Sequence, residues 1–237
     1  MFAPSQKRTP DVSPGSSAAT EWRPCRTSNS TGPPPQPYPP CPTVLLASVR
    51  EQEEPALLSV IQTLRAHDAP TIVVAPRHMH RVKPWQALLS GAKLPAVMRS
   101  KQEGTIPAGS IVIWDTFGEL GQLYQLADAV FVGGSLAPLG GQNFLEPLAL
   151  GRIPCCGPHL DNFAWALEPS GEAERDSLET LGLLQTGENA KAVAALLQQQ
   201  LTLPTPHDAV RERFQHWLAP RLGGSARCAQ RLLDEMR

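Results

Sequence analysis

The sequence predicts an α/β fold: a Rossmann-like parallel sheet with helices on both faces. Two observations carry this. From Thr43 onward, short and wholly apolar runs alternate with segments of helical periodicity; a strand without polar alternation is one buried on both faces. The glycine-rich, polar and charged clusters fall directly after those apolar runs, at the carboxyl ends of strands where such sheets bind ligands.

The elements follow in order. Residues 43–48 (TVLLAS) form a first buried strand. Pro55 sits where a first helical turn tolerates proline, and Leu57, Leu58, Ile61 and Leu64 recur at helical spacing. Residues 71–75 (TIVVA) are a second strand, followed by a polar helix broken near Pro84. Further strands are expected at 95–99, 110–114 (SIVIW), 129–132 (AVFV) and 153–156, with helices at 118–127 and 143–150. Three helices, at about 190–201, 209–218 and 226–236, close the chain.

Residues 1–42 differ in kind. They are rich in Pro, Ser, Thr and Gly and lack apolar periodicity, so they bury too little surface to offset the entropy of ordering. The run 33–42 favours an extended polyproline II form. The expected organisation is therefore a proline-rich segment, 1–42, and one Rossmann-like domain, 43–237.

Composition narrows the function classes. A net charge of −1 over 237 residues offers no basic field for nucleic acid. No apolar run reaches the roughly 18 residues of a membrane span. The five cysteines form no C-x-x-C pair, which fits a reducing, cytoplasmic setting. Cys155, Cys156 and His159 could be read as metal ligands, but adjacent thiols on a strand point to opposite faces, and no metal is expected. The absence of D-x-D, G-x-G-x-x-G, Walker A and G-x-S-x-G patterns speaks against a cation-bound sugar diphosphate, NAD, ATP and a hydrolase elbow; no cofactor is expected.

Four clusters carry the candidate chemistry. The densest is 133–147 (GGSLAPLGGQNFLEP). Its glycines permit close approach of backbone N–H groups to a ligand, and the helix starting near Asn143 aims its positive end at the crevice, worth about 0.3–1 kcal/mol toward an anion. Asn143 and Glu146 share a helix face, and a carboxylate beside an anion site is useful if it accepts from ribose hydroxyls. A plain capping box explains the pair equally well. Pro76-Arg77-His78 follows the second strand, and Arg77 can grip a phosphate with two charge-assisted bonds or be an ordinary surface arginine. His78 and His80, two apart, would not face each other on a helix. Residues 116–120 (TFGEL) offer another strand-to-helix turn. Residues 48–54 (SVREQEE) form a charged turn that helix capping would also explain.

Together these residues resemble the 3-deoxy-D-manno-octulosonic acid (Kdo) transferases. VFVGGSLAPLGGQNFLEPLALG and then GPHLDNF are similar to that family's pattern, APRH and DTFGELGQLY occur in the same order, and LLASVREQEE aligns with its S-T-H-x-G-E-E turn. The resemblance covers about residue 42 to the C-terminus. It implies the C-terminal half of a GT-B glycosyltransferase, built of two facing Rossmann-like domains, that transfers Kdo from CMP-Kdo to a lipid A precursor in lipopolysaccharide synthesis without a metal. By resemblance Pro76, Arg77, Phe117, Gly118, Glu119, Asn143, Phe144, Leu145 and Glu146 hold CMP. The implied setting is the cytoplasm or the cytoplasmic face of the inner membrane, reached through the N-terminal half, which also supplies a glutamate base. Gln142 stands where the family has His, and Val49, Arg50 and Gln52 replace its Thr, His and Gly.

The start of the chain reads as foreign to that family. Arg26–Gly32 permits codons that, in a shifted frame, spell NLKFDW, and residues 1–11 likewise permit VRAQSEEDAR, both similar to family segments preceding this half. A slip in the proline run near 33–35 would produce this, leaving 1–32 a frame-shifted translation and the N-terminal domain outside this reading frame. A natural proline-rich linker or interaction tail is the plainer alternative. The competing functions are a CMP-binding module inactive alone, a UDP-sugar GT-B enzyme, and an adaptor whose residues 33–42 dock on an aromatic groove.

Overall fold

The structure, a computed structural model, describes residues 42–66, 69–102, 106–167 and 177–223, with Arg231 and Asp234. Seven strands form one sheet: β1 (Thr43–Val49), β2 (Thr71–Pro76), β3 (Ala96–Met98), β4 (Ile111–Ile113), β5 (Ala129–Val132), β6 (Pro154–Cys156) and β7 (Gln185–Thr186). Their order is β3-β4-β2-β1-β5-β6-β7, and every pairing is parallel. The chain runs outward from β1 in both directions, so the topological switch lies between β1 and β5.

Alternation along these strands builds two cores. Leu45, Ala47, Val73, Val112, Val130, Val132 and Cys156 face one side. There they meet α3 (Leu120–Leu126), α4 (Leu145–Ala149) and α7 (His207–Leu218) through Leu123, Leu148 and Phe214. Val44, Leu46, Ile72, Val74, Ile111, Phe131 and Cys155 face the other side. That face is covered by α1 (Glu54–Arg65), α2 (Val82–Gly91) and α6 (Ala190–Thr202) through Leu57, Ile61, Trp85 and Leu197. A short α5 (Ala164–Leu167) follows β6. Apolar faces that exist only in pairs must be buried in pairs, which makes this a three-layer sandwich.

Each strand predicted from its apolar run is present to within about a residue at either end. Two details differ. Pro84 does not break a helix: a 3-10 turn (Met79–Arg81) precedes α2, and Pro84 lies in the first turn of α2, where its missing N–H has no intrahelical partner to lose. His78 and His80 do face each other. His78 is extended at φ −125°, so the two rings turn to the same side and stack at 5.5 Å with 13° between planes. Of the helix predicted at 226–236, only Arg231 and Asp234 are described, and residues 1–41 lie outside the described residues altogether. Among the described residues no helix is long and apolar enough to cross a membrane.

Candidate functional site

The carboxyl ends of β4, β2, β1 and β5 stand side by side, and the sequence clusters converge there. Pro76 closes β2 opposite Val49, and the Arg77 N–H donates to the Val49 carbonyl at 2.9 Å. That bond brings the Arg77 and Arg50 main chains together. Arg77 is exposed and enters none of the ion pairs formed among the described residues. Its neighbour Arg81 is spent internally: Nε and Nη2 donate to Glu54 at 2.9 and 2.7 Å, and Nη1 lies 3.1 Å from Glu51. The pKa of His78 is lowered, first by desolvation and then by the charges of Arg50, His80 and Arg77. The mouth of the crevice over β1 and β2 is therefore cationic in a chain whose net charge is −1.

On the adjacent β4 end, Phe117 is 80 % exposed, an uncovered aromatic plate beside a cationic rim. Gly118 turns the chain, and Glu119 accepts from Thr116 Oγ1 at 2.6 Å at the start of α3. Across the switch, the segment after β5 folds back: the N–H groups of Gly141 and Gln142 donate to the Gly134 and Gly133 carbonyls at 2.7 and 2.9 Å. This carries Asn143 to the same end of the sheet. Asn143 Nδ2 donates to Glu146 Oε1 at 3.1 Å, and Asn143 Oδ1 accepts from the Leu145 N–H at 3.2 Å. Both side chains are exposed, so a ribose hydroxyl could reach this amide–carboxylate pair. Phe144 differs from its neighbours. It is fully buried and packs on Phe163 at 4.8 Å, and Leu145 is packed against the same core, so these two act through main chain and packing. The helix they begin spans five residues, and its pull on an anion is that of one turn of N–H groups.

The residue that local reading missed is Glu53. Its side chain is 1 % exposed. Oε2 accepts from the Arg50 and Gly134 N–H groups at 3.0 and 2.6 Å, and Oε1 from those of Ser135 and Leu136, both at 2.9 Å. Three of its four partners are 81 to 83 residues away, so the local pattern marks it only as a capping acid for Arg50. The crossing is tight. A Cβ on Gly133 would stand 2.6 Å from the Ser48 carbonyl oxygen, and Ser48 itself holds φ 53°, a conformation an L-residue seldom adopts.

The two thiols divide between the cores, Cys155 on one face and Cys156 on the other. They cannot converge on an ion, and burial pushes Cys155 up to about 12. A cavity of about 560 Å³ lies elsewhere, beyond β6 and β7, lined among others by Pro158, Leu160, Asp161, Glu179 and Glu188. It does not coincide with the clusters. The open edge over β4, β2, β1 and β5 is the better candidate, because it gathers an exposed arginine, an exposed ring and an exposed amide–carboxylate pair, whereas the cavity gathers carboxylates.

No protein-family profile matches the chain. The 3-deoxy-D-manno-octulosonic acid transferase of Bordetella pertussis is 34 % identical over 198 residues, 81 % of this chain and 44 % of that protein. The protein of the same description from Haemophilus influenzae is 32 % identical over 164 residues, 67 % of this chain and 37 % of the relative. This chain thus spans less than half the length of the curated relatives it matches. Among solved structures, it is similar to the crystal structure of the C-terminal CMP-Kdo binding domain of WaaA from Acinetobacter baumannii, with a TM-score of 0.65, 25 % identity, and coverage of 75 % of this chain and 89 % of that one.

Proposed function

We infer that this chain, a relative of the 3-deoxy-D-manno-octulosonic acid transferases with the fold of a CMP-Kdo binding domain, supplies the donor-binding half of a glycosyltransferase that moves Kdo from CMP-Kdo to a lipid A precursor. The observation that supports it most is the meeting of Arg77, Phe117 and the Asn143–Glu146 pair at one edge of the sheet. Arg77 would take the phosphate, Phe117 would stack on the cytosine, and Asn143 with Glu146 would take the ribose hydroxyls. Pro76, Gly118, Glu119, Phe144 and Leu145 would frame them. The binding unit is residues 43–237.

The chemistry follows from those positions. As the bond from the anomeric carbon to the phosphate oxygen breaks, negative charge grows on the leaving cytidine monophosphate while the sugar becomes oxocarbenium-like. A guanidinium bound to that phosphate would stabilise the charge as it develops. The acceptor hydroxyl needs a general base, which we place on a facing acceptor-binding domain at the cytoplasmic surface of the inner membrane.

Calorimetry with CMP, run with and without a chelator and against UMP and UDP, tests the reading. Binding of CMP that survives chelation and exceeds that of the uridine nucleotides is expected. No heat with CMP would refute it, and a preference for UDP would favour a UDP-sugar enzyme of the same fold.

A further inference from the structure

Loops that follow a strand at a topological switch point commonly present successive N–H groups to an anionic ligand. Here that loop is 133–136, after β5 and beside β1. The N–H groups of Gly134, Ser135 and Leu136 converge within 2.6 to 2.9 Å on one anion, and that anion belongs to the chain: it is the carboxylate of Glu53. We propose that Glu53 is a positioning residue that serves as a built-in anion, filling the nest at the switch point so that the ligand's phosphate is turned away from it and toward Arg77.

Three features support this. An ionised carboxylate has about four acceptor positions, and all four are used, since the Arg50 N–H takes the remaining one. Nothing is left for a ligand hydroxyl, and a phosphate brought to the same N–H groups would meet a buried like charge. Next, the loop is held from its far side as well: Ser135 Oγ donates to the Val132 carbonyl at 2.7 Å and accepts from the Gly157 N–H at 2.8 Å. The loop is clamped between Glu53 and the end of β6, and the clamp also sets the main chain at Arg50, next to the cationic rim. Finally, the adjacent Glu54 is used for something else, the pair with Arg81, so Glu53 is not one of two interchangeable acids.

The proposal rests on the nucleotide reading only for the direction of the phosphate, and the test separates the two. Glu53→Ala removes the two carbons and two oxygens that acetate restores. With ionic strength held by chloride, acetate should raise the melting temperature of E53A saturably and leave wild type unmoved. E53Q keeps the shape but loses the charge and places an NH₂ among N–H donors; acetate should not rescue it. At a temperature where each variant is fully folded, CMP affinity should fall about tenfold in both variants and should return with acetate in E53A alone. Wild-type CMP affinity in E53Q would overturn the proposal even if E53A did not fold, and so would acetate acting equally on E53A and wild type. If wild type binds no CMP, the nucleotide reading fails, while acetate rescue of E53A melting still reports the built-in anion.

Discussion

Arg77 and Arg81 lie four residues apart and have opposite fates. Arg81 is neutralised by Glu51 and Glu54, whereas Arg77 is exposed and enters no ion pair among the described residues. Its charge is available to a ligand, and its loss should cost no stability. Arg77→Ala is expected to weaken CMP binding by about 1.5–3 kcal/mol with an unchanged melting temperature. Arg77→Lys should recover only part of that, because a point charge replaces a two-toothed donor. Phe117→Ala should cost about 1–3 kcal/mol if the ring stacks on the base. Calorimetry checks all three, and full affinity in both alanine variants would remove the proposed site. These two candidates were legible because each follows an apolar run and carries its chemistry in its own side chain. Glu53 was legible only as a capping acid, since its meaning comes from N–H groups on another strand's loop. The histidine pair was misread because a helical geometry was assumed where the backbone is extended.

At the scale of elements, apolar strands announce themselves and polar ones do not. The strands β1, β2 and β5 were plain as continuous hydrophobic runs. The edge strand β7 consists of Gln185 and Thr186, which carry no apolar signal and pair only because β6 offers a free edge. Helix α7 shows how a long-range tie refines a local pattern. Val210, Phe214 and Trp217 form its buried stripe, but its start is held by Arg152, which is 8 % exposed. The guanidinium donates to the Tyr124 carbonyl at 3.0 Å and to the Gln125 carbonyl, both in the last turn of α3, and to His207 Nε2 at the first turn of α7. To accept, His207 must be neutral. Its pKa is lowered, by partial burial first and then by Arg152 and Arg211, against the opposing pull of Asp128 and Asp208. A histidine whose folded pKa lies below the ordinary value of about 6.5 binds protons more readily when unfolded. Its contribution is therefore intact above pH 6.5 and is lost as pH falls from there through the lowered native value. Urea titrations between pH 7.5 and 5 should show wild type losing more stability on acidification than His207→Asn, whose side chain can still accept from Arg152 without titrating. Parallel curves for the two proteins would show that the contact does not govern the response.

For the whole molecule, the sequence motifs implied a donor site and left strand order open, because no local pattern records that β3 sits outside β4 at the sheet edge. Among the described residues the candidate site lies along one edge of the sheet, and that edge has one wall. Among the described residues, the carboxylates after β1 and β4 and at Glu146 already hold a partner: Glu119 accepts from Thr116, Asp115 from Ser100, Glu146 from Asn143 and Glu53 from four N–H groups, while Glu51 and Glu54 pair with Arg81. None of these stands unengaged in position to deprotonate an acceptor hydroxyl. A donor bound here would present its anomeric carbon to water, and the rate advantage of holding two reactants together, which reaches effective molarities of about 10⁵ M or more, would be absent. The chain spans 44 % of the Bordetella pertussis relative, leaving ample length in that protein for a facing domain. Residues 43–237, expressed alone, are therefore expected to bind CMP-Kdo and to transfer nothing. The assay supplies CMP-Kdo and a tetraacylated lipid A precursor to this domain and, in parallel, to the full-length Bordetella protein. Product from the long protein with none from the domain supports a division of labour in which the donor half binds and a facing half brings the base and the acceptor. Comparable turnover by the domain alone would show that one wall suffices, and would require a base among these engaged carboxylates.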